Sequence, residues 1–137
     1  MATYVGTYIA SRASVPERSA AWRRLRDEDG YKITSSWIDE AGVGQSSDLG
    51  ELWERIVREV TRSERLVLYV EPDDFPLKGA LVEVGMALAH RIPIRVVAPG
   101  VVLDPVSCRP LGNWMRHCLV RRVDSMEQAL AGATMAF

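Results

Sequence analysis

Short apolar runs alternate with helix-like segments along this chain of 137 residues, and this alternation limits the folds open to it. The run Leu-Val-Leu-Tyr-Val at 66–70 contains no charged residue, which is typical of a parallel strand covered by helices on both faces. Further runs predict four more strands, at residues 4–9, 31–35, 94–97 and 119–123. The segments between and after these runs predict helices at residues 16–30, 48–60, 79–90 and 125–131.

The second of these helices has the clearest start signal and the clearest apolar face. Asp48 followed by Glu51 forms a capping-box pattern, which marks the first turn of a helix. Apolar residues then recur at the spacing of one helical face, namely Leu49, Leu52, Trp53, Ile56, Val57 and Val60. This face is expected to pack against the sheet.

The order of strands and helices predicts a single α/β domain over residues 1–137, with a long loop at residues 99–112. Right-handed crossovers between successive strands give an open, mostly parallel, five-stranded sheet with helices on both faces, a three-layer Rossmann-like or flavodoxin-like fold. In such sheets ligands bind outside the carboxyl ends of the strands, where the strand order reverses. The segments expected there are 6–12, 36–37 and 71–79.

The composition favours a small-molecule ligand. Lys and Arg number 17 against 18 for Asp and Glu, so no broad basic surface is expected for a nucleic acid polymer or an anionic membrane. The sequence shows no signal-peptide pattern and no apolar run near the roughly 20 residues that span a bilayer, so we expect a cytoplasmic protein. Cys108 and Cys118 lack the spacing of a disulfide framework or a zinc site, and we expect neither metal nor other cofactor.

Glu83 is the most unusual residue of the chain. It is the one ionisable residue in the otherwise apolar or small segment 79–89. Because a buried carboxylate without a partner is costly, such a glutamate must reach a polar pocket or hydrogen-bond donors. Gly79 lies one helical turn earlier on the same face and would leave room for a ligand beside the carboxylate. The alternative is that Glu83 points to solvent or pairs with Arg91.

Three more carboxylates follow the run at 66–70. Glu71, Asp73 and Asp74 are expected at the carboxyl end of that strand, in the crevice that Glu83 would face. Two carboxylates can cleave a glycosidic bond, one by attacking the anomeric carbon and the other by giving a proton to the leaving group. Acidic residues of this kind are equally common as solvated turn formers, and both interpretations stay open.

Together these segments resemble the nucleoside 2-deoxyribosyltransferase-like superfamily, which also contains deoxynucleotide N-hydrolases. Residues 4–8 (Tyr-Val-Gly-Thr-Tyr) resemble its opening strand and loop, and residues 66–70 resemble its central strand. The segment 79–89 (Gly-Ala-Leu-Val-Glu-Val-Gly-Met-Ala-Leu-Ala) resembles its signature helix with the nucleophilic glutamate. With Asn113 and residues 123–125, the resemblance spans nearly the whole chain.

The resemblance implies a reaction and a set of site residues. Glu83 would attack C1′ of a deoxyribose, form a covalent intermediate and pass the sugar to a second base. Asp73 or Asp74 would protonate or orient the base, and Tyr8 would position the nucleophile. The substrate would contact Gly6, Thr7, Ser36, Trp37, Glu71 and Gly79. An asparagine that resembles Asn113 enters a neighbouring subunit's pocket in the family, which implies a homo-oligomer.

Two alternatives remain at this stage. A deoxynucleoside 5′-monophosphate N-hydrolase would share the nucleophile but use water as acceptor, and Ser11 and Arg12 could then hold the phosphate. A non-catalytic nucleotide-binding module would keep the fold and the pocket without turnover. A dinucleotide-dependent oxidoreductase is disfavoured, because Gly6 stands alone where a GxGxxG loop would be needed.

Overall fold

The computed structural model describes residues 5–40 and 48–131. Its centre is a parallel sheet of four strands in the order β1-β2-β3-β4. The strands are β1 (Thr7–Ala10), β2 (Arg65–Tyr69), β3 (Ile94–Val97) and β4 (Val120–Val123). The predicted three-layer α/β fold with a parallel sheet is therefore confirmed.

Helices cover both faces of the sheet. They are α1 (Pro16–Asp27), α2 (Leu49–Arg62), α3 (Gly79–Ala89) and the short α4 (Met126–Ala129). Three 3-10 turns lie at Ser36–Asp39, Pro72–Asp74 and Asn113–Arg116. None of the helices among the described residues is both long and apolar enough to cross a membrane.

Alternate residues of the strands build two cores. On one face the strands pack against α2 and α3, through Tyr8, Ala10, Leu66, Leu68, Ile94 and Val96 together with Ile56, Val60, Val84 and Ala87. On the other face they pack against α1 and α4, through Ile9, Val67 and Val97 together with Trp22, Ala129 and Leu130. Because neighbouring strand residues point to opposite faces, an unbroken apolar run fills both cores at once.

The prediction of a fifth strand at 31–35 is wrong. In that segment Ile33 alone pairs with β1, through a single parallel bridge to Thr7. The ladder stops because side chains take the next backbone groups of β1. Ser35 Oγ accepts from the Ile9 amide at 3.2 Å, and Trp37 Nε1 donates to the Ile9 carbonyl at 2.9 Å. The segment still occupies the edge position beside β1 that a second strand takes in a flavodoxin-like sheet.

The other predicted elements differ from the structure mainly at their ends. The strand at 94–97 is confirmed, and the central strand begins and ends one residue earlier than predicted. The first strand begins at Thr7 and ends at Ala10, while residue 4 lies outside the described residues. Asp48 caps α2 by accepting from the Glu51 amide at 3.0 Å. The segment 36–47, between the predicted strand at 31–35 and the helix at 48–60, begins with the 3-10 turn, and its residues 41–47 lie outside the described residues.

Candidate active site

A cavity of about 500 Å³ opens at the carboxyl ends of β1 and β2. The chain leaves β1 for the edge segment on one side and later returns as β2 on the other, so this is the point where the strand order reverses. Aromatic rings form much of its wall, namely those of Tyr8, Trp37, Trp53, Tyr69 and Phe75. Its polar lining residues are Ser11, Arg12, Asp73, Asp74, Lys78 and Glu83.

Glu83 lies in this cavity on the second turn of α3. The residue is only 8% exposed, and its Oε2 atom has no hydrogen-bond partner among the described residues. Burial raises the pKa of the Glu83 carboxyl, interaction with the Tyr8 hydroxyl lowers it, and the nearby charge of Glu59 raises it, with the result that the pKa increases from 4.5 to about 7. A buried carboxyl that titrates near neutral pH and faces a cavity is typical of a functional site.

Tyr8 comes to the same place from β1, on the strand face that packs against α2 and α3. It is fully buried, and burial together with the charge of Glu83 raises the pKa of its hydroxyl. Although the two groups perturb each other, no hydrogen bond of standard geometry joins them, and Tyr8 Oη has no other partner among the described residues. Two buried polar atoms of cavity-lining residues are thus left without a hydrogen-bond partner among the described residues.

Gly79 and Trp53 shape the space beside the carboxylate. A Cβ atom at Gly79 would lie 3.5 Å from two ring atoms of Trp53 and 4.0 Å from Glu83 Oε1. The missing side chain therefore keeps open the space between the indole ring and the carboxylate. Trp53 did not emerge as a site residue from the sequence, where it was interpreted only as part of an apolar helix face. The sequence signal that could have identified Trp53 was its position on the apolar face of the helix at 48–60, next to the helix predicted to carry Glu83.

Two of the three carboxylates after β2 are engaged in structural contacts. Asp74 Oδ2 lies 2.5 Å from Arg18 Nη1 and accepts from the Glu71 amide at 2.8 Å. Glu71 accepts from the Tyr69 hydroxyl at 2.6 Å and pairs with Arg18 at 3.2 Å. Asp74 borders the cavity with a side chain that is 1% exposed, whereas Glu71 is not part of the wall.

Asp73 differs from its two neighbours. It is exposed and lines the cavity, and its carboxylate makes no hydrogen bond or ion pair with a described residue. Its backbone carbonyl accepts from Arg12 Nη1 at 3.1 Å. Among the acidic residues that follow β2, Asp73 is therefore the one whose carboxylate is free to meet a ligand.

Ser11 and Arg12 lie at the mouth of the same cavity, directly after β1. Ser11 Oγ is buried and has no hydrogen-bond partner among the described residues. The Arg12 side chain is 51% exposed and donates to Ser14 Oγ at 2.9 Å. A hydroxyl and a guanidinium that line the same cavity can hold an anionic or polar group of a ligand.

The structure places Gly6 and Thr7 at the opposite end of the sheet. The Gly6 amide donates to Glu64 Oε1 at 3.0 Å, and Thr7 is fully buried with its hydroxyl donating to the Val5 carbonyl at 3.0 Å. Neither residue lines the cavity. The reason is that β1 begins at Thr7 and ends at Ala10, so the loop at its carboxyl end starts at Ser11, beyond both residues.

The remaining predicted residues are divided between the cavity and the surface around it. Trp37 lines the cavity, and its ring is held by the hydrogen bond of Nε1 to the Ile9 carbonyl. Ser36 lies outside the wall, where its amide and hydroxyl donate to the Glu59 carboxylate at 2.9 and 2.5 Å. Asn113 is exposed in the turn before β4 and does not reach the cavity of its own chain.

Comparison with known proteins supports the fold at low sequence identity. No protein-family model matches the chain, and no curated protein sequence matches it. The structure is similar to that of a 2-desoxiribosyltransferase from Leishmania mexicana, with 20% sequence identity, a TM-score of 0.59, and coverage of 93% of this chain and 95% of that chain. It is also similar to a conserved protein from Enterococcus faecalis V583, with 15% identity, a TM-score of 0.56, and coverage of 96% and 98%.

These similarities extend over nearly the full length of both chains, so the order of strands and helices is shared and not merely one motif. The resemblance read from the sequence is thereby confirmed at the level of the fold. This chain has the α/β fold of a 2-deoxyribosyltransferase.

Proposed function

We propose that this protein cleaves the N-glycosidic bond of a 2′-deoxynucleoside and transfers the deoxyribosyl group to another nucleobase, with Glu83 as nucleophile. The observation that carries the proposal is a buried carboxyl with an unpartnered oxygen, facing a cavity of about 500 Å³ in a deoxyribosyltransferase-like fold. Covalent catalysis needs a carboxylate that is desolvated and close to the reacting carbon.

The proposed reaction has two displacements. Ionised Glu83 attacks C1′, the C1′–N bond breaks, and its electron pair stays on the departing base, which takes up a proton through Asp73. The incoming base then attacks C1′, releases Glu83 and returns a proton to Asp73. Two inversions at C1′ retain its configuration. Tyr8 would orient Glu83 by donating a hydrogen bond to it, and Gly79 would leave room for the sugar.

The aromatic walls supply the binding site for the base in this proposal. Trp37 and Trp53 both line the cavity, and flat rings of this kind stack on nucleobases. The Trp37 ring is held in place by its own hydrogen bond to the Ile9 carbonyl. A ring that is already ordered loses little conformational entropy when the ligand binds.

The rate is expected to rise with pH through neutrality. Because the nucleophile must be ionised, kcat/KM for a substrate whose leaving group needs no proton, such as 4-nitrophenyl 2-deoxyribofuranoside, should increase as pH passes the Glu83 pKa of about 7 and should level off above it. The measurement is a profile of kcat/KM between pH 5 and 9, with the fold monitored by circular dichroism at each pH. A rate that falls through pH 7 on this substrate would contradict ionised Glu83 as the nucleophile.

A second candidate is hydrolysis of a deoxynucleoside 5′-monophosphate. The observation that favours it is the pair of residues after β1, where Ser11 Oγ is buried without a partner and Arg12 lines the same cavity. These groups would bind the 5′-phosphate, and water would replace the acceptor base in the second displacement. We rank transfer first because the apolar and aromatic wall also fits an acceptor base.

One assay separates these reactions from each other and from mere binding. The purified protein is incubated with the four 2′-deoxynucleosides and their 5′-monophosphates, with and without a second free base, and products are followed by chromatography. A new deoxynucleoside that forms only with the acceptor supports transfer, and free base without an acceptor supports hydrolysis. Binding of these compounds without any turnover would overturn the proposal in favour of a nucleotide-binding module.

We also propose that the protein is a homo-oligomer in the cytoplasm. Large apolar side chains are exposed on neighbouring helices, with Val57 on α2 42% exposed and Val82 on α3 55% exposed. Asn113 is exposed and lies outside the cavity of its own chain, which leaves it available for the proposed contact with a neighbouring subunit. The exposed free thiol of Cys118 fits a reducing compartment.

Self-association can be disrupted from the outer face of α3. Replacing Val82 with lysine puts a charge into the proposed apolar contact, so the wild type should sediment as a dimer or larger particle and the variant as a monomer. Sedimentation velocity measures this directly. As a control, Val102→Lys changes an 87% exposed valine on the loop after β3 and should leave the particle size unchanged. A monomeric wild type would contradict the proposal.

A further inference from the structure

The turn that follows β2 is held by an arginine of α1. Arg18 lies 2.5 Å from Asp74 Oδ2 through Nη1 and 3.2 Å from Glu71 Oε1 through Nη2. The Arg18 side chain is 11% exposed and that of Asp74 is 1% exposed, so water screens this ion pair little. A guanidinium that spans two carboxylates fixes their relative position as well as attracting them.

Further contacts restrain the same turn. The Tyr69 hydroxyl donates to Glu71 Oε2 at 2.6 Å, and the Glu71 amide donates to Asp74 Oδ2 at 2.8 Å. The Arg18 guanidinium carbon lies 5.2 Å from the centre of the Tyr69 ring, which is within cation–π distance. Glu71 and Asp74 are therefore both bound to Arg18 and to each other.

Asp73 stands between these two anchored residues. Its carboxylate lines the cavity and makes no contact of its own with a described residue that would hold it there. Pro72 precedes it and restricts the backbone. Arg12 holds the Asp73 backbone carbonyl at 3.1 Å and lies 3.8 Å from Asp74 Oδ1, but its side chain is 51% exposed. The location of the Asp73 carboxylate therefore depends on this contact and on its neighbours in the turn, which the more buried Arg18 holds. Arg18 itself is not part of the cavity wall.

We propose that Arg18 is a positioning residue. By binding Glu71 and Asp74 it holds the Asp73 carboxylate over the cavity, where Asp73 passes a proton to the departing base. The inference rests on the proposed function, since it concerns the proton that the base takes up as the C1′–N bond breaks. Arg18 then acts on the reaction only through Asp73. Its loss should matter only when the leaving group needs a proton.

Two leaving groups provide the test. The deoxynucleoside that is cleaved fastest needs proton uptake at its base, whereas 4-nitrophenyl 2-deoxyribofuranoside releases a stable anion that needs none. Arg18→Gln should lower kcat on the deoxynucleoside by about 100-fold, the usual effect of losing general acid catalysis, and should change kcat on the nitrophenyl compound by less than about threefold. Arg18→Lys keeps the positive charge but lacks the guanidinium that spans two carboxylates, and its kcat on the deoxynucleoside should lie between those of Arg18→Gln and the wild type.

A double substitution tests the connection to Asp73. In an Asp73→Asn background, Arg18→Gln should slow the deoxynucleoside reaction by no more than about twofold further, because both changes remove the same function. The matched control is Arg26→Gln, which removes an ion pair of α1 with Asp27 and Asp39 away from the turn and should leave both reactions unchanged. Circular dichroism of each variant checks that it is folded.

The outcomes separate this inference from the function on which it rests. If Arg18→Gln slows both substrates equally while remaining folded, or if its effect persists in the Asp73→Asn background, Arg18 does not act through Asp73 and the inference is wrong. If the wild type cleaves neither compound in a manner that depends on Glu83, the proposed function itself fails. Selective loss on the deoxynucleoside, absent from the Asp73→Asn background, supports both.

Discussion

Glu83→Gln should reduce turnover of the best deoxynucleoside substrate by at least about 1,000-fold, because the amide cannot form the covalent bond to C1′. Glutamine has nearly the same size as glutamate, and the substitution breaks no hydrogen bond at Glu83 Oε2, which has no partner among the described residues. The measurement is kcat by chromatography with substrate in excess, together with a titration of substrate binding. Binding should persist while chemistry stops.

A matched control tests whether the loss of kcat is specific to the glutamate in the cavity. Glu54→Gln makes the same chemical change on the exposed side of α2, outside the cavity wall, and should leave kcat unaltered. The comparison separates loss of a nucleophile from any general effect of removing one negative charge. Retention of more than a tenth of the wild-type kcat by Glu83→Gln would mean that another group carries the reaction.

The same substitution should make the protein more stable at alkaline pH. Burial raises the pKa of Glu83 from 4.5 to about 7, so the folded protein holds this proton more tightly than the unfolded chain. The contribution of Glu83 to stability is therefore fully present below pH 4.5 and is lost as pH rises through 7. The loss amounts to about 3 kcal/mol at pH 8, and a neutral glutamine avoids it.

Urea unfolding at two pH values measures this effect. Glu83→Gln should raise the free energy of unfolding by about 3 kcal/mol at pH 8, and by almost nothing at pH 4, where the carboxyl is mostly neutral in both states. Glu54→Gln should change it by less than about 0.5 kcal/mol at either pH, as expected for an exposed position. A destabilised Glu83→Gln protein at pH 8 would show that the carboxylate is favourably bound in the fold.

Together these two results would describe a site that sacrifices stability for reactivity. A carboxylate that faces a cavity without protein donors is unfavourable in the free protein, and that same lack of partners leaves it available to attack a ligand. Opposite effects of one substitution on turnover and on stability are the expected signature of such a site. Replacement of a glutamate with a purely structural role would instead make the protein less stable.

The sequence by itself determined the layers of the fold and the residue at the centre of the proposed site. Apolar runs such as 66–70 and 94–97 have to be covered on both faces, and this requirement produces a parallel sheet whatever the details of the loops. Glu83 could be identified because a single ionisable residue in an apolar helix lowers stability when it is buried without a partner, so its presence there indicates a functional role. Both inferences depend on local patterns and on burial, which a sequence records directly.

Tertiary contacts decided the rest. The predicted strand at 31–35 was replaced by side-chain hydrogen bonds of Ser35 and Trp37 to β1, which outcompeted the backbone ladder. Asp73 and Asp74 were equivalent in the sequence. They differ because Arg18, 56 residues away along the chain from Asp74, and the Glu71 amide bind the carboxylate of Asp74 and not that of Asp73. Such differences depend on which side chains, distant in the sequence, come into contact in the folded protein. Neither the periodicity nor the spacing of residues in the sequence contains that information.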